Sequence, residues 1–442
     1  MNPMNSFDDR VLRNALLVLA AAVLLLVAGQ ARAEMVIQIT EGADRGIPVS
    51  VVPFGTSDAP DMPENLANII RDNLTMSGDF EALEPASMLS LPTSGDDLSF
   101  RDWRMLGQEY VLVGEVEYRE DRERYILSYE LFDVSQQRRV IGSRASAVES
   151  ELRTLAHHVS NRIYEAITGI EGIFNTRLAF VTRNQEDGET VYRLKVSDID
   201  GHRDQVLLRS TQPILSPDWS PDRSELTYVS FEGGRPGIYR QEIRSGDRER
   251  LTSFTGLNSA PSWSPDGRSL LMTLSKDGSA EIYRYTLDTG ETERLTHHWS
   301  INTEASWAPD GERFAFTSDR SGRPQVYVQS RRDREAQRVT FEGSYNARPR
   351  FGPDGEELFF IHGREGDYYL GALNLESGDQ RVFPRSRTEE SPAVAPNGRL
   401  VMYVTDEGNA RSLELTTVDG RAQFRLPVRH DGIRDPAWSP ME

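Results

Sequence analysis

A seven-residue phrase recurs six times in the second half of the chain, and its period constrains the fold more than any other feature. Its variants are Pro217–Arg223 (PDWSPDR), Pro261–Gly267 (PSWSPDG), Ala305–Gly311 (ASWAPDG), Pro349–Gly355 (PRFGPDG), Pro392–Gly398 (PAVAPNG) and Pro436–Glu442 (PAWSPME). The central position falls at Trp219, Trp263, Trp307, Phe351, Val394 and Trp438, at intervals of 44, 44, 44, 43 and 44 residues. A fixed period of this length, over short alternating apolar pieces, predicts a repeat array with four short strands per unit.

Each unit reads the same way. After the phrase comes an alternating strand: Leu226–Ser230, Leu270–Ser275, Phe314–Ser318, Leu358–His362 and Leu400–Thr405. A strand around Tyr follows (Ile238–Arg240, Ile282–Arg284, Val326–Val328), then in most units a Gly-containing turn, then a short polar strand at Arg250–Thr252, Arg294–Thr296 or Arg338–Thr340. Ser-Pro-Asp-Gly has the chemistry of a turn, with Pro fixing φ at the second position and Gly where φ must be positive. It predicts a hairpin between the first two strands of a unit. The large apolar residue before it fills the wedge between neighbouring sheets. The last copy has nothing after it, and Leu178–Thr182 (LAFVT) is a second strand with no phrase before it. Pairing Pro436–Pro440 beside residues 178–182 completes one sheet from both ends and predicts a closed ring of six blades. Closure removes the open edges that invite aggregation.

The upstream half follows another pattern. Arg10 and Arg13, the apolar run Ala15–Ala28 and the small-x-small site Ala31-Arg32-Ala33 read as a cleaved secretory signal over residues 1–33. Residues 34–170 mix element types. Ile47–Phe54 reads as a buried strand, and Asp61-Met62-Pro63 as the start of a helix carrying Leu66, Ile69, Ile70 and Leu74 and stopping at Gly78. Tyr110–Tyr118 and Tyr125–Asp133 read as strands joined by the charged turn Arg119–Arg124, and Glu151–Thr168 as a helix closed by Gly169. The expectation is a multidomain chain: a small N-terminal α/β domain over 34–170, then an all-β six-bladed β-propeller over 171–442.

Composition narrows the function. The net charge is −19, and loss of three Arg and two Asp with the leader takes the mature chain to −20. Such a surface repels nucleic acid and anionic lipid, so proteins or cations are the expected partners. With no cysteine, disulfides and thiolate chemistry are excluded. After the leader nothing is long and apolar enough to span a bilayer, so an exported monomer is expected. The seven histidines lack zinc-site spacing, and neither a nucleophile elbow nor a phosphate loop occurs.

Several stretches together resemble the WD40-like propeller family of TolB: Thr176–Val181 (TRLAFV), Val196–Gly201 (VSDIDG), Phe316–Tyr327 (FTSDRSGRPQVY), Pro436–Pro440 (PAWSP) and the N-terminal Val49–Phe54 (VSVVPF). The resemblance covers nearly the whole chain. It implies a periplasmic adaptor of the Tol-Pal system. One propeller face would bind the lipoprotein Pal, and the mature N-terminal segment would be bound by TolA. The system supports outer-membrane integrity and constriction at division, and colicins and filamentous phage exploit it.

The loops that lead into the innermost strands line the channel mouth of a propeller: 212–215, 257–260, 301–304, 344–348, 387–390 and 430–435. The family's Pal-binding positions align with Leu257, Ala260 and Thr303, beside Asn258, Asn302 and Glu304; Leu257 stands where the family commonly carries histidine. Asn346, Arg348, Glu389 and Asp435 occupy matching loops on other blades. For TolA, the expected segment is Glu34, Met35, Val36, Ile37, Gln38, Ile39 and Thr40. Its alternation suits either strand addition to a partner's sheet edge or the first strand of its own domain. The acids Glu304, Glu389, Glu390 and Asp435 could hold a Ca²⁺ in the channel; otherwise no cofactor is expected. The rival reading is a propeller enzyme of glycosidase or lactonase type that uses the channel carboxylates.

Overall fold

The structure is a computed structural model that describes residues 36–39, 46–57, 62–388, 390–406, 411–429 and 432–442. The leader expected over residues 1–33 lies outside them, as do Glu34, Met35, Thr40 and Glu389.

The N-terminal region is an α/β layer. Its sheet runs Phe80–Ala82, Ile47–Val51, Tyr110–Arg119, Arg124–Asp133, Arg138–Ala147, with Gly55–Ser57 continuing the pairing on Tyr110–Arg119. Ile47–Val51 is parallel to both neighbours, so it needs cover on both faces. Helices α1 (Leu66–Met76) and α3 (Leu152–Thr168) pack on each other. The short helix α2 (Phe100–Met105) brings Trp103 onto Val111 and Val113. The buried face of α1 is the expected set Leu66, Ile69, Ile70 and Leu74. Its start differs from expectation: Asn65 is the cap, accepting the Asn68 N–H at 3.1 Å, because an Asx side chain three residues upstream satisfies an otherwise orphaned donor. Gly169 ends α3 at φ +74°, where a side chain would be strained.

From Arg177 onward the chain forms six sheets of an antiparallel propeller. Blades 2 to 6 each open with the innermost strand: Ile214–Trp219, Asn258–Trp263, Asn302–Trp307, Tyr345–Phe351 and Ala393–Val394. Blade 1 is shared. Its innermost strand is Ile433–Trp438, paired with Arg177–Glu186 in the register Trp438 to Leu178, Ala437 to Ala179 and Ile433 to Thr182. The ring is closed as the orphan strands require. Each innermost strand touches the next, from blade 2 round to Ile433–Trp438 and back.

The repeated phrase does what its chemistry predicts. Gly267, Gly311, Gly355 and Gly398 hold φ of +68°, +66°, +72° and +70°, and Arg223 takes the same left-handed conformation at +61° in the copy that lacks glycine. Within the turn, Ser264 Oγ donates to Asp266 Oδ1 at 2.6 Å, and Asp266 Oδ1 accepts the Arg268 N–H at 3.0 Å. The plate before each turn packs into the preceding blade: Trp263 meets Val229 and Ile238, Trp307 meets Leu271 and Ile282, and Phe351 meets Ala315 and Val326.

The N-terminal region is tied to the propeller by buried charge. Asp79 Oδ1 accepts from Arg399 at 2.9 Å and Arg421 at 3.0 Å, both of blade 6, while Tyr164 Oη donates to Asp79 Oδ2 at 2.5 Å. Gly78 sits so close that an added Cβ would lie 2.6 Å from Thr417 Cγ2. Val36–Ile39 is not the first strand of its own domain. It pairs antiparallel with Ala422–Arg429 as a fifth strand of blade 6, in the register Ile37 to Phe424. That outer edge offers unpaired backbone groups, which a short alternating segment satisfies.

Removing residues 436–442 should therefore open the ring. Loss of the Trp438 plate alone costs about 3–5 kcal/mol, so calorimetry should show a markedly lower Tm; an unchanged melting profile would contradict the closure.

Candidate functional site

The mouth is built by a defect repeated in the innermost strands. Pairing with the second strand skips between Leu215 and Asp218, Ser259 and Ser262, Thr303 and Ser306, Ala347 and Arg350, and Arg434 and Ala437. Inside each skip one non-glycine residue is left-handed: Ser216 (φ 51°), Ala260 (48°), Glu304 (57°), Arg348 (57°) and Asp435 (48°). Each lies three residues before its plate. This conformation costs about 1–2 kcal/mol per non-glycine residue, and bulges of this kind commonly re-aim side chains at functional surfaces. Two are held from the neighbouring blade: the Glu304 N–H donates to Thr273 Oγ1 at 3.2 Å and the Arg348 N–H to Thr317 Oγ1 at 2.9 Å.

The re-aimed side chains from blades 4, 5 and 1 meet in an ionic belt. Arg348 Nε reaches Glu304 Oε1 at 3.0 Å, and its Nη1 lies 3.7 Å from Glu390 Oε2. Glu390 Oε1 also takes Arg411 at 3.0 Å and Arg434 at 3.4 Å. Asp435 lies beside Glu390. Burial first, and then the Glu390 charge, push its carboxyl up to about 7, against the pull of Arg434 and Arg348. Deeper in the ring, burial raises Asp218 to about 6, although it accepts the Trp263 N–H at 2.7 Å and feels the charge of Arg350. Guanidinium groups thus stand among the acids proposed for calcium. Among the described residues those acids bring no three ligand atoms together.

Three of the loops between blades are pinned by a buried asparagine. Asn258, Asn302 and Asn346 are fully buried (0 % exposed). Asn258 Nδ2 donates to the Phe254 carbonyl at 2.7 Å, and its Oδ1 accepts the Phe254 N–H at 3.1 Å. Asn302 Nδ2 donates to Glu281 Oε2 at 2.7 Å, and Thr296 Oγ1 donates to the same oxygen at 2.5 Å. Asn346 and Thr340 repeat this on Gln325 Oε1, both at 2.8 Å. These three asparagines are therefore posts beneath the mouth, and nothing docked from outside touches them in this conformation. Leu257 is exposed; Ala260, Thr303, Glu304, Arg348 and Asp435 are half-buried at the rim. Sequence reading missed the posts, although Thr252/Asn258, Thr296/Asn302 and Thr340/Asn346 share a spacing of six and a period of 44. Between blades 5 and 6 a cleft opens beside Glu390, lined by Tyr368, Arg387 and Arg411.

A second cluster lies where α3 meets blade 1. His157 Nε2 is 3.8 Å from Asp198 Oδ2 and 3.7 Å from Asp200 Oδ2. Its Nδ1 faces Asn73 Nδ2 at 2.9 Å. Arg153 pairs with Asp200, and Arg203 Nε with Asp198 at 2.7 Å. Two guanidiniums paired with these two carboxylates make an ion-paired joint rather than a metal cage. At the mouth the carboxylates of Glu304 and Glu390 are paired with arginines, and Glu304 Oε2 also accepts from Thr317 Oγ1 at 3.3 Å.

The belt predicts a pH dependence with a definite sign. Asp435 has a folded pKa of about 7 against an ordinary 3.8, so the native state keeps a proton that the unfolded chain gives up in between. Stability should fall as pH rises from about 4 to about 7 and stay lowered above that. Asp435→Asn should flatten this slope and melt above the parent at pH 8; parallel melting curves for the two proteins across pH 5–8 would refute it.

Two family models match the chain: the TolB amino-terminal domain over residues 35–140 and the TolB beta propeller domain over residues 164–442. The Tol-Pal system protein TolB of Hahella chejuensis is 55% identical over 417 residues, covering 94% of this chain and 97% of that one. The TolB of Alcanivorax borkumensis is 52% identical, covering 93% and 94%. The crystal structure of TolB from Acinetobacter baumannii superposes with a TM-score of 0.84 at 36% identity, covering 92% of this chain and 100% of that one. By sequence along nearly its whole length, and by the fold of both its parts, this chain belongs to the TolB family of the Tol-Pal system.

Proposed function

We propose that this chain is a non-catalytic periplasmic adaptor that binds Pal through the propeller mouth and TolA through residues 34–40. The observation that carries the reading is the ring of left-handed residues at Ala260, Glu304, Arg348 and Asp435. Backbone strain of about 1–3 kcal/mol per residue persists where the surroundings over-determine it, and it clusters at binding surfaces. Leu257, Ala260, Thr303, Glu304, Arg348 and Asp435 form the contact surface in this reading, and Asn258, Asn302 and Asn346 hold it in shape. Glu389, outside the described residues, remains an expected contact of the loop before blade 6 by its place in the sequence alone. A rim whose carboxylates are paired with arginines suits the docking of a protein protrusion better than chemistry on a small substrate.

The N-terminal half of the reading rests on Val36–Ile39. Four residues paired on one sheet edge are a short ladder, and the same backbone groups can add to the edge of another domain. TolA would then compete with blade 6 for the strand. The expected leader and membership of the family support export to the periplasm. Among the described residues no helix is long and apolar enough to cross a membrane.

Two variants separate the contacts. Thr303→Arg places bulk and charge on the rim and should weaken Pal binding at least tenfold by calorimetry, while TolA binding holds. Deleting residues 34–40 should do the reverse. If either variant binds both proteins like the parent, its half of the reading is wrong.

A further inference from the structure

The mouth is not uniform, and its two sides differ in chemistry. On the side of blades 5, 6 and 1 the charged groups are occupied with one another through Glu390, Arg411 and Arg434. On the other side lie the loops 253–257, 297–301 and 341–345, which join blades 2 to 5. Nine large apolar side chains are exposed among the described residues, and five of them sit on these three loops: Phe254, Leu257, Trp299, Ile301 and Phe341. Trp299 is 82 % exposed and Phe341 70 %. Single exposed apolar residues are ordinary, but a group confined to one face marks a contact surface.

These side chains do not hang on slack segments. Each loop starts at a buried threonine and ends at a buried asparagine post. Backbone ties to the next hairpin add to this: Leu257 N–H donates to Ser275 Oγ at 2.8 Å and Ile301 N–H to Asp319 Oδ1 at 2.8 Å. An apolar group already held in place loses little freedom on binding, so its contact converts more fully into affinity. Leu257 and Ile301 are each three residues from the left-handed positions Ala260 and Glu304, so the apolar arc runs into the mouth itself. Cations border it: the Arg338 guanidinium lies 5.0 Å from the Phe341 ring centre, and Lys276 Nζ, which also pairs with Asp277 at 3.4 Å, lies 5.2 Å from that of Phe254.

We propose that these three loops form a preorganised apolar arc that grips an apolar segment flanked by carboxylates on the protein seated in the mouth, with Trp299 as the principal anchor. The inference rests on the Pal reading above and adds the chemistry of the bound segment. Lys276 and Arg338 favour acidic flanks on the partner. A second copy of this chain would bring a net charge of −19 or more and the same two cations against them, which disfavours self-association. Buried tryptophan at the centre of an interface commonly dominates its energy.

The test is calorimetric titration of the full chain with the soluble domain of Pal. Trp299→Ala should weaken binding at least tenfold and Phe341→Ala about threefold; both sites are exposed, so folding is retained. Leu89→Ala, 60 % exposed on the N-terminal region, should bind like the parent. The double variant Lys276→Glu with Arg338→Glu should weaken binding; parental or tighter binding would overturn the acidic flanks. If Trp299→Ala and Phe341→Ala bind like the parent while Thr303→Arg does not, the arc is wrong and the mouth reading stands. If the parent itself does not bind Pal, both are wrong.

Discussion

The hydrogen-bonded ladder between Ile433–Trp438 and Arg177–Glu186 is the constraint on which the ring depends. Five blades are hairpin stacks that can form locally, but a stack of sheets with two loose ends has no channel and no mouth. The ladder joins residues about 260 positions apart, and the Trp438 indole N–H donates to Thr176 Oγ1 at 2.8 Å at the seam. Blade 2 leans on the same strand, since Trp219 Nε1 donates to the Ala437 carbonyl at 3.3 Å. Closing charges add to it: Arg223 reaches Glu442 at 2.9 Å across the junction.

Closure then sets the electrostatics. Bringing the innermost strands together forces Glu304, Arg348, Arg434, Asp435 and Glu390 into one small volume, where isolated charges would be costly. Alternation of acid and arginine offsets most of that cost, and Asp435 takes up the remainder by holding a proton to about pH 7. In the proposed adaptor, recognition at such a rim would draw on the shape of the loops and on the apolar arc, because the belt's charges are largely satisfied within the protein.

The propeller was legible because its devices are local and repeated. A turn phrase every 44 residues needs no knowledge of distant contacts, and the two orphan strands named each other by what each lacked. The N-terminal helices α1 and α3 were legible from their apolar stripes, whereas α2 and the strand Arg138–Ala147, with its exposed alternating residues, carried too weak a pattern. The site was only partly readable. Position in the repeat placed the mouth loops, but not which side chains would turn inward. Asn258, Asn302 and Asn346 look like surface polar residues in sequence, and only the carboxylate, amide and backbone groups facing them show that they are posts. Nor could alternation alone assign Val36–Ile39 an edge: its partner, Ala422–Arg429, lies at the far end of the chain.

Asp79 and Gly78 give one more consequence. The strand edge that receives Val36–Ile39 belongs to the same blade that Arg399 and Arg421 clamp to Asp79, and the Phe424 ring that would lie 3.2 Å from a Gly78 Cβ is in register with Ile37. The berth for the N-terminal strand is thus walled by the chain's own α/β layer, and any tilt of that layer against blade 6 would change its width. If the segment exchanges with a partner as proposed, geometry of this sort would make its release a mechanical matter, sensitive to force along the chain as much as to the concentration of a competitor.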